Sequence, residues 1–282
     1  MFSADDIRMT YQKLHDNVQT RNLIRSYSCN RRDIREVALE GLDLSKTETV
    51  LDLGCGDGFF IRKLNGLLAD NADVVGIDII DAGNTRTFLD MVDSMGYRGT
   101  FYQTSAGAIR DIEDVHFDLI IASYSLYFFP YLIREIARIL KPAGVFIALT
   151  HTRFSLQEIT RFIPQCLQMI GIEPPREIKI NKLFNRFSLE NGRDKIEPYF
   201  SGVERIIYSN NLVFPEEQIN DCLEYLRYKR SLLFKELLES EPAKYDRMLA
   251  LFHQKILARA MSDGKLQLTK NDAIFRCSQP RP

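Results

Sequence analysis

The chain has 282 residues, 45% of them hydrophobic and 27% charged, with a formal net charge of −1. Such a composition fits a soluble globular protein with a sizeable core. It removes any general electrostatic drive toward nucleic acid or anionic membrane, leaving only a local basic patch as a route to either. No apolar run approaches the roughly 18 residues of a membrane span, and the start, MFSADDIRMTYQK, has no signal-peptide hydrophobic region. Five scattered cysteines (Cys29, Cys55, Cys166, Cys222 and Cys277), never in a C-x-x-C pair, argue for reduced thiols in a cytoplasmic chain, with no disulfide framework and no metal site.

In chain order, residues 49–53 are a short apolar strand and 59–68 a helix. Residues 73–77 (DVVGI) make a second strand. Phe88, Val92 and Met95 then recur at helical spacing, with Gly96 as the residue just past the helix end. Residues 100–103 predict a third strand and 117–122 (FDLIIA) a fourth. Ile133, Ile136, Ala137 and Leu140 mark a helix stopped by Lys141-Pro142-Ala143-Gly144, and 145–150 (VFIALT) is a fifth strand. Short apolar strands alternating with amphipathic helices imply a parallel sheet covered on both faces, a doubly wound α/β domain. Beyond it, Pro164, Pro174, Pro175 and Pro198 break 152–200 into short helical pieces. A sixth strand is expected at 203–208, two helices over 216–263, and a final strand or hairpin at 266–276.

The stretch ETVLDLGCGDGFFIRKL, residues 48–64, turns from a first strand into a helix. That turn lies at the carboxyl edge of the sheet, where α/β proteins bind ligands. Gly54 and Gly56 let a ligand approach the main chain, and the alternative is a tight turn without one. The third glycine is Gly58, so the dinucleotide pattern G-x-G-x-x-G is not met. Asp78 closes the second strand, 20 residues past Gly58, where an acid can take hydrogen bonds from ribose hydroxyls. Asp52 precedes the glycines; it would repel a pyrophosphate and attract an ammonium or sulfonium. The loop therefore suits a cationic nucleoside better than a dinucleotide.

VLDLGCGDG followed by VVGIDI resembles motif I and the following acid of the class I S-adenosylmethionine-dependent methyltransferases. FDLIIASYSLYFF and EIARILKPAGVFIAL resemble that family's fourth strand and its passage into the fifth. The resemblance covers about residues 48–150. It implies a Rossmann-like seven-stranded, mostly parallel sheet with an antiparallel last strand, and S-adenosylmethionine as donor, leaving S-adenosylhomocysteine. Carried over by position, Asp52, Gly54 and Gly56 line the methionine end of the donor and Asp78 its ribose. Ile79 packs beside the adenine, Ser105 and Ala106 lie at its other edge, and Ala122 and Ser123 meet the methionine portion. Ser105 stands where many members have aspartate, and Pro142-Ala143-Gly144 replaces a more usual Pro-Gly-Gly. The segment YQKLHDNVQTRNLIRSYSCN resembles one that closes over the donor, with Tyr11, Arg25 and Tyr27 as candidates and a plain surface helix as the competing reading. One domain is expected: a helical cap at 1–47, the core at 48–151, an insertion plus sixth strand at 152–213, a helical lid at 214–264, and the last strand and tail at 265–282.

Transfer of a methyl group from a sulfonium needs alignment more than a fixed catalytic residue, with a base only for a protonated acceptor. Among four histidines, only His151 directly follows a strand at the ligand edge, either as a base or donor to the acceptor or as a solvated loop residue. Tyr124 and Tyr127 follow the fourth strand and either flank the acceptor or join the core. Arg227 and Arg230 lie near an apolar face running over 221–238, where they either reach toward water or meet an acidic acceptor. A helical lid favours a small-molecule acceptor, with no nucleic acid or membrane partner and a monomer or homodimer. An RNA or protein methyltransferase and a non-catalytic donor-binding module are the alternatives.

Overall fold

The computed structural model describes residues 3–11, 13–81, 83–235, 237 and 241–281. The strands, numbered in chain order, are β1 (Thr49–Leu53), β2 (Asp73–Asp78), β3 (Arg98–Gln103), β4 (Phe117–Ser123), β5 (Leu140–His151), β6 (Phe200–Tyr208), β7 (Asn211–Pro215), β8 (Lys265–Thr269) and β9 (Asp272–Pro280). The chain divides into two compact units, each assembled from three separate segments.

One unit comprises Arg32–His151, Asn185–Tyr208 and the chain from Asp272 on. Among its described residues, seven strands form a sheet in the order β3-β2-β1-β4-β5-β9-β6. The strands from β1 to β5 run parallel, while β9 is antiparallel to both its neighbours. Val50, Leu51, Leu119, Ile120, Ile121, Ile147, Ala148 and Leu149 are wholly buried, as central strands covered on both faces require. Strand order reverses between β1 and β4, so the crevice for a ligand opens at the carboxyl ends of these two. Behind β2, the helix Asn84–Ser94 buries Phe88 and Val92 and ends at Gly96, the exit residue expected from the sequence.

Two elements differ from expectation. The helix expected at 59–68 is a series of turns with a short 3-10 helix, Ile61–Leu64. Phe60, Ile61 and Leu64 still supply a buried face, but Gly58 and Gly66 have φ of 75° and 72° and end regular helical backbone on either side. Strand β5 starts at Leu140 rather than 145, and a register shift between Phe117 and Leu119 of β4 absorbs Lys141-Pro142-Ala143-Gly144.

The other unit comprises the chain up to Arg31, Thr152–Phe184 and Ser209–Asn271. It is mainly helical, around the two-stranded β7-β8 sheet. Strand β7 was not foreseen: five residues ending in Pro215 obscure the alternation that buries Leu212 and Phe214. The expected 266–276 strand splits at Lys270-Asn271, β8 staying in this unit and β9 entering the large sheet. The expected 221–238 face breaks at Lys229 into the helices Ile219–Tyr228 and Arg230–Leu233, and its last residue, Leu238, lies outside the described residues. Lys235 is buried here and its ammonium pairs with Asp6. No described helix is long and apolar enough to cross a membrane.

Candidate active site

Two of the three glycines after β1 are demanded by the protein itself. A Cβ on Gly54 would come within 2.5 Å of the Cβ of Ser125, whose Oγ donates to the Leu53 carbonyl (2.6 Å). One on Gly58 would meet Met91 Cε at 2.4 Å and Phe88 at 2.9 Å. Gly56 is different: its φ is 53° and nothing lies within 4 Å of where its Cβ would stand. The open approach to the main chain is therefore at Gly56.

Three acids converge on this turn. Asp52 is 1% exposed, and its Oδ1 is buried without a hydrogen-bond partner. Burial first, then the charges of Asp78 and Asp57, push its pKa well above the usual carboxylate range. An unpaired carboxyl group in such a place is a standing deficit of positive charge. Asp78 accepts from the Gly56 and Ile80 N–H groups, each at 2.8 Å, and burial nonetheless raises its pKa. Cys55, between the glycines, is buried, and burial followed by Asp52 and Asp78 raises its thiol far above the ordinary value. It is an inert filler and not a nucleophile.

Further along the same carboxyl edge, His151 ends β5 and sits directly opposite Asp272, the first residue of β9. Directly opposed residues of an antiparallel pair share a face, and here they meet: His151 Nδ1 lies 2.7 Å from Asp272 Oδ1. Tyr124 donates its hydroxyl to Asp272 Oδ2 (2.6 Å) and stacks on the imidazole, with centroids 4.6 Å apart. Tyr127 also lies near-parallel to that ring, at 5.9 Å. Tyr124 has φ of 56°, a costly value for a tyrosine and one that structures retain mainly at functional sites. Burial and then the Asp272 charge hold its phenol protonated well past the ordinary range. With Asp272 ionised, the imidazole keeps its proton on Nδ1 and presents Nε2 as the basic nitrogen.

Residues 44–170 match the family model described as a methyltransferase domain. Over that stretch the chain carries a methyltransferase domain. Among solved structures, a Bacillus halodurans C-125 chain assigned to the methyltransferases is 12% identical with a TM-score of 0.52, over 88% of this chain and 99% of that one. Phosphoethanolamine N-methyltransferase 2 of Haemonchus contortus, solved with S-adenosyl-L-methionine, is 14% identical with a TM-score of 0.51, over 100% of this chain and 61% of that one. The [4+2]-cyclase SpnF is 15% identical with a TM-score of 0.50, over 97% of each chain. These likenesses concern the fold, which by itself does not set the reaction. No protein with a curated description matches the chain in sequence.

The residues of this methyltransferase edge fit a cationic donor on two counts, the unpaired buried oxygen of Asp52 and the open approach at Gly56. Of the other sequence candidates, Ile79 is partly exposed beside Asp78, and Ser105 caps the short 3-10 helix Ala106–Asp111 through the Gly107 N–H (3.2 Å). Ala122 is wholly buried and Ser123, which ends β4, is partly exposed. Tyr11, Arg25 and Tyr27 belong to the helical unit. Arg25 is exposed there, while Tyr27 donates to Asp221 and to Gln218 (3.0 Å) and stacks on Phe214. Burial and then the Asp221 bond push the Tyr27 phenol up to about 12. Arg227 is exposed, forked on Glu224 at 2.7 Å, and Arg230 is partly exposed at the start of the helix Arg230–Leu233.

One residue of this edge escaped the sequence reading, Asp272. It had a signal: like Asp52, it is an acid set in an apolar strand (DAIF).

Proposed function

We propose that this methyltransferase acts on a hydroxyl or amine of a small-molecule acceptor, with His151 as general base. The observation that carries the reading is the Asp272–His151 pair, buttressed by Tyr124, at the same sheet edge as the donor loop. Bound S-adenosylmethionine supplies a methyl group on an already activated sulfonium. Asp52 is the residue placed to offset that positive charge, and Gly56 admits the donor to the main chain. Asp78 keeps a second lone pair on each oxygen for the ribose, while Ile79, Ser105 and Ala106 border the adenine. Ala122 and Ser123 stand at the end of β4 toward the methionine portion. His151 Nε2 takes the acceptor's proton as the new bond forms, and Asp272 holds the ring and stabilises the resulting imidazolium. Tyr124 and Tyr127 present flat faces that orient the ring and shed water. The near-neutral net charge supports a small acceptor over a nucleic acid.

The test is incubation with methyl-labelled donor and fractionated cell extract. Label in a small-molecule fraction is the expected result; label in RNA or protein, or none, overturns the acceptor class. With the acceptor in hand, His151→Ala should cut the rate about 10²–10⁴-fold while donor affinity holds.

A further inference from the structure

Asp272 is engaged on both of its carboxylate oxygens. Oδ1 lies 2.7 Å from His151 Nδ1, and Oδ2 accepts the Tyr124 hydroxyl at 2.6 Å. One buried carboxylate thus joins the imidazole to the phenol. Strand register closes the far side. Tyr208 of β6 stands directly opposite Asp272, as His151 of β5 does, so the three side chains share one face of the sheet. Tyr208 brings a ring and no proton for the carboxylate, because its hydroxyl donates to the Arg32 carbonyl (2.6 Å). Its other charged neighbours are Asp33 and Arg32. Tyr127 brings a second ring, near-parallel to the imidazole.

A hydrogen bond to an ionised carboxylate favours the ionised form. At 2.7 Å, His151 and Asp272 titrate as a pair, so the effect falls on the pair's uptake of a proton, wherever that proton rests. With Asp272 ionised and the imidazole neutral, the carboxylate carries its full charge and pulls hardest on the Tyr124 O–H. Once the imidazole is protonated, it shares that charge and the pull weakens. Tyr124 therefore stabilises the state that can act as a base. It opposes Asp272, whose charge alone favours the imidazolium. The backbone is set for this contact: the Tyr124 N–H donates to the Leu149 carbonyl of β5 (3.0 Å), next along from the strand's last two residues.

We propose that the Tyr124 hydroxyl is a positioning group that, acting through Asp272, keeps the His151 imidazole unprotonated toward lower pH than Asp272 alone would allow. Its bearing on catalysis rests on the reading of His151 as general base, but the titration it governs is measured without turnover. The role belongs to the hydroxyl and not to the ring, which Tyr124→Phe retains.

Imidazole NMR titration of the full chain tests it, with His151 identified among the four histidines by the signal lost in His151→Gln. In Tyr124→Phe the proton affinity of His151 should rise at least about threefold. A ring-fluorinated tyrosine placed at this one position donates more strongly with nearly the same shape, and there the affinity should fall about twofold. Opposite signs in the two chains are not what a lost packing contact produces, and the fluorinated chain carries the test alone if Tyr124→Phe does not fold. An affinity unchanged in the fluorinated chain, or moving the same way in both, would overturn the proposal. Once an acceptor is known, the acid limb of kcat/KM should follow the NMR values. A limb that stayed in place while those values moved would remove His151 as base and still uphold the coupling to Tyr124.

Discussion

At Asp52 the needs of folding and of binding oppose each other. Its carboxyl is buried beside Asp57 and Asp78, and its pKa in the folded chain lies well above the reference 3.8. A raised carboxyl pKa means the folded state holds the proton more tightly than the unfolded state. The stabilising contribution is therefore complete below 3.8 and is lost as pH rises through the folded value. Near neutrality the group costs stability. Asp52→Asn keeps the shape and removes the charge, so the ligand-free chain should melt higher at pH 7–8. Donor affinity by calorimetry should fall at least about tenfold, some 1.4 kcal/mol. A higher affinity, or a lower melting temperature, would contradict this balance. His151 and Asp272 should behave as one device. If each single substitution, His151→Ala and Asp272→Asn, lowers kcat, the double variant should be no slower than His151→Ala alone. Additive losses would show that the two act separately.

Among the elements, the helix Ile34–Leu39 is tied to the donor loop through its cap. Asp33 accepts from the Arg35 N–H (3.0 Å), pairs with the Arg35 guanidinium (2.6 Å), and lies 3.2 Å from Lys63 Nζ. Arg35 in turn donates to the Phe59 carbonyl and lies 3.6 Å over that ring. Burial works to raise the Asp33 pKa, but the Arg35 and Lys63 contacts outweigh it and hold it at about 2. A depressed carboxyl pKa contributes stability that is present above the unfolded value, 3.8, and lost as pH falls toward 2. Asp33→Ala should cost about 1–2 kcal/mol at neutral pH, and urea titrations should show a shallower loss of stability between pH 4 and 2. The elements also show what a sequence displays. Strands β1, β2, β4 and β5 were legible because an apolar run needs no partner to be recognised. The interrupted stretch after Phe59 reads as a helix because Phe60, Ile61 and Leu64 fall at positions an amphipathic α-helix would also bury, whereas the breaks come from the backbone at Gly58 and Gly66. Asp272 was overlooked because its meaning comes from the residue opposite, 121 positions earlier, and only strand register brings the two together.

For the molecule as a whole, the large sheet is not contiguous in sequence. A fragment spanning 32–208 contains six of its strands but lacks β9, which pairs with β5 on one side and β6 on the other. Without it β5 exposes an apolar edge, and β6 has no neighbour. The fragment should aggregate on expression, and light scattering of the soluble fraction would show it; a monodisperse, folded fragment would disprove the inference.

The position of β9 between β5 and β6 also has a bearing on biosynthesis. At ribosomal speeds of about 5–20 residues per second, β6 is synthesised roughly 3–13 s before translation reaches the strand it must hydrogen-bond to. Through that interval the nascent polypeptide carries an unclaimed ribbon, and a chaperone is best placed to help by shielding Phe200–Tyr208.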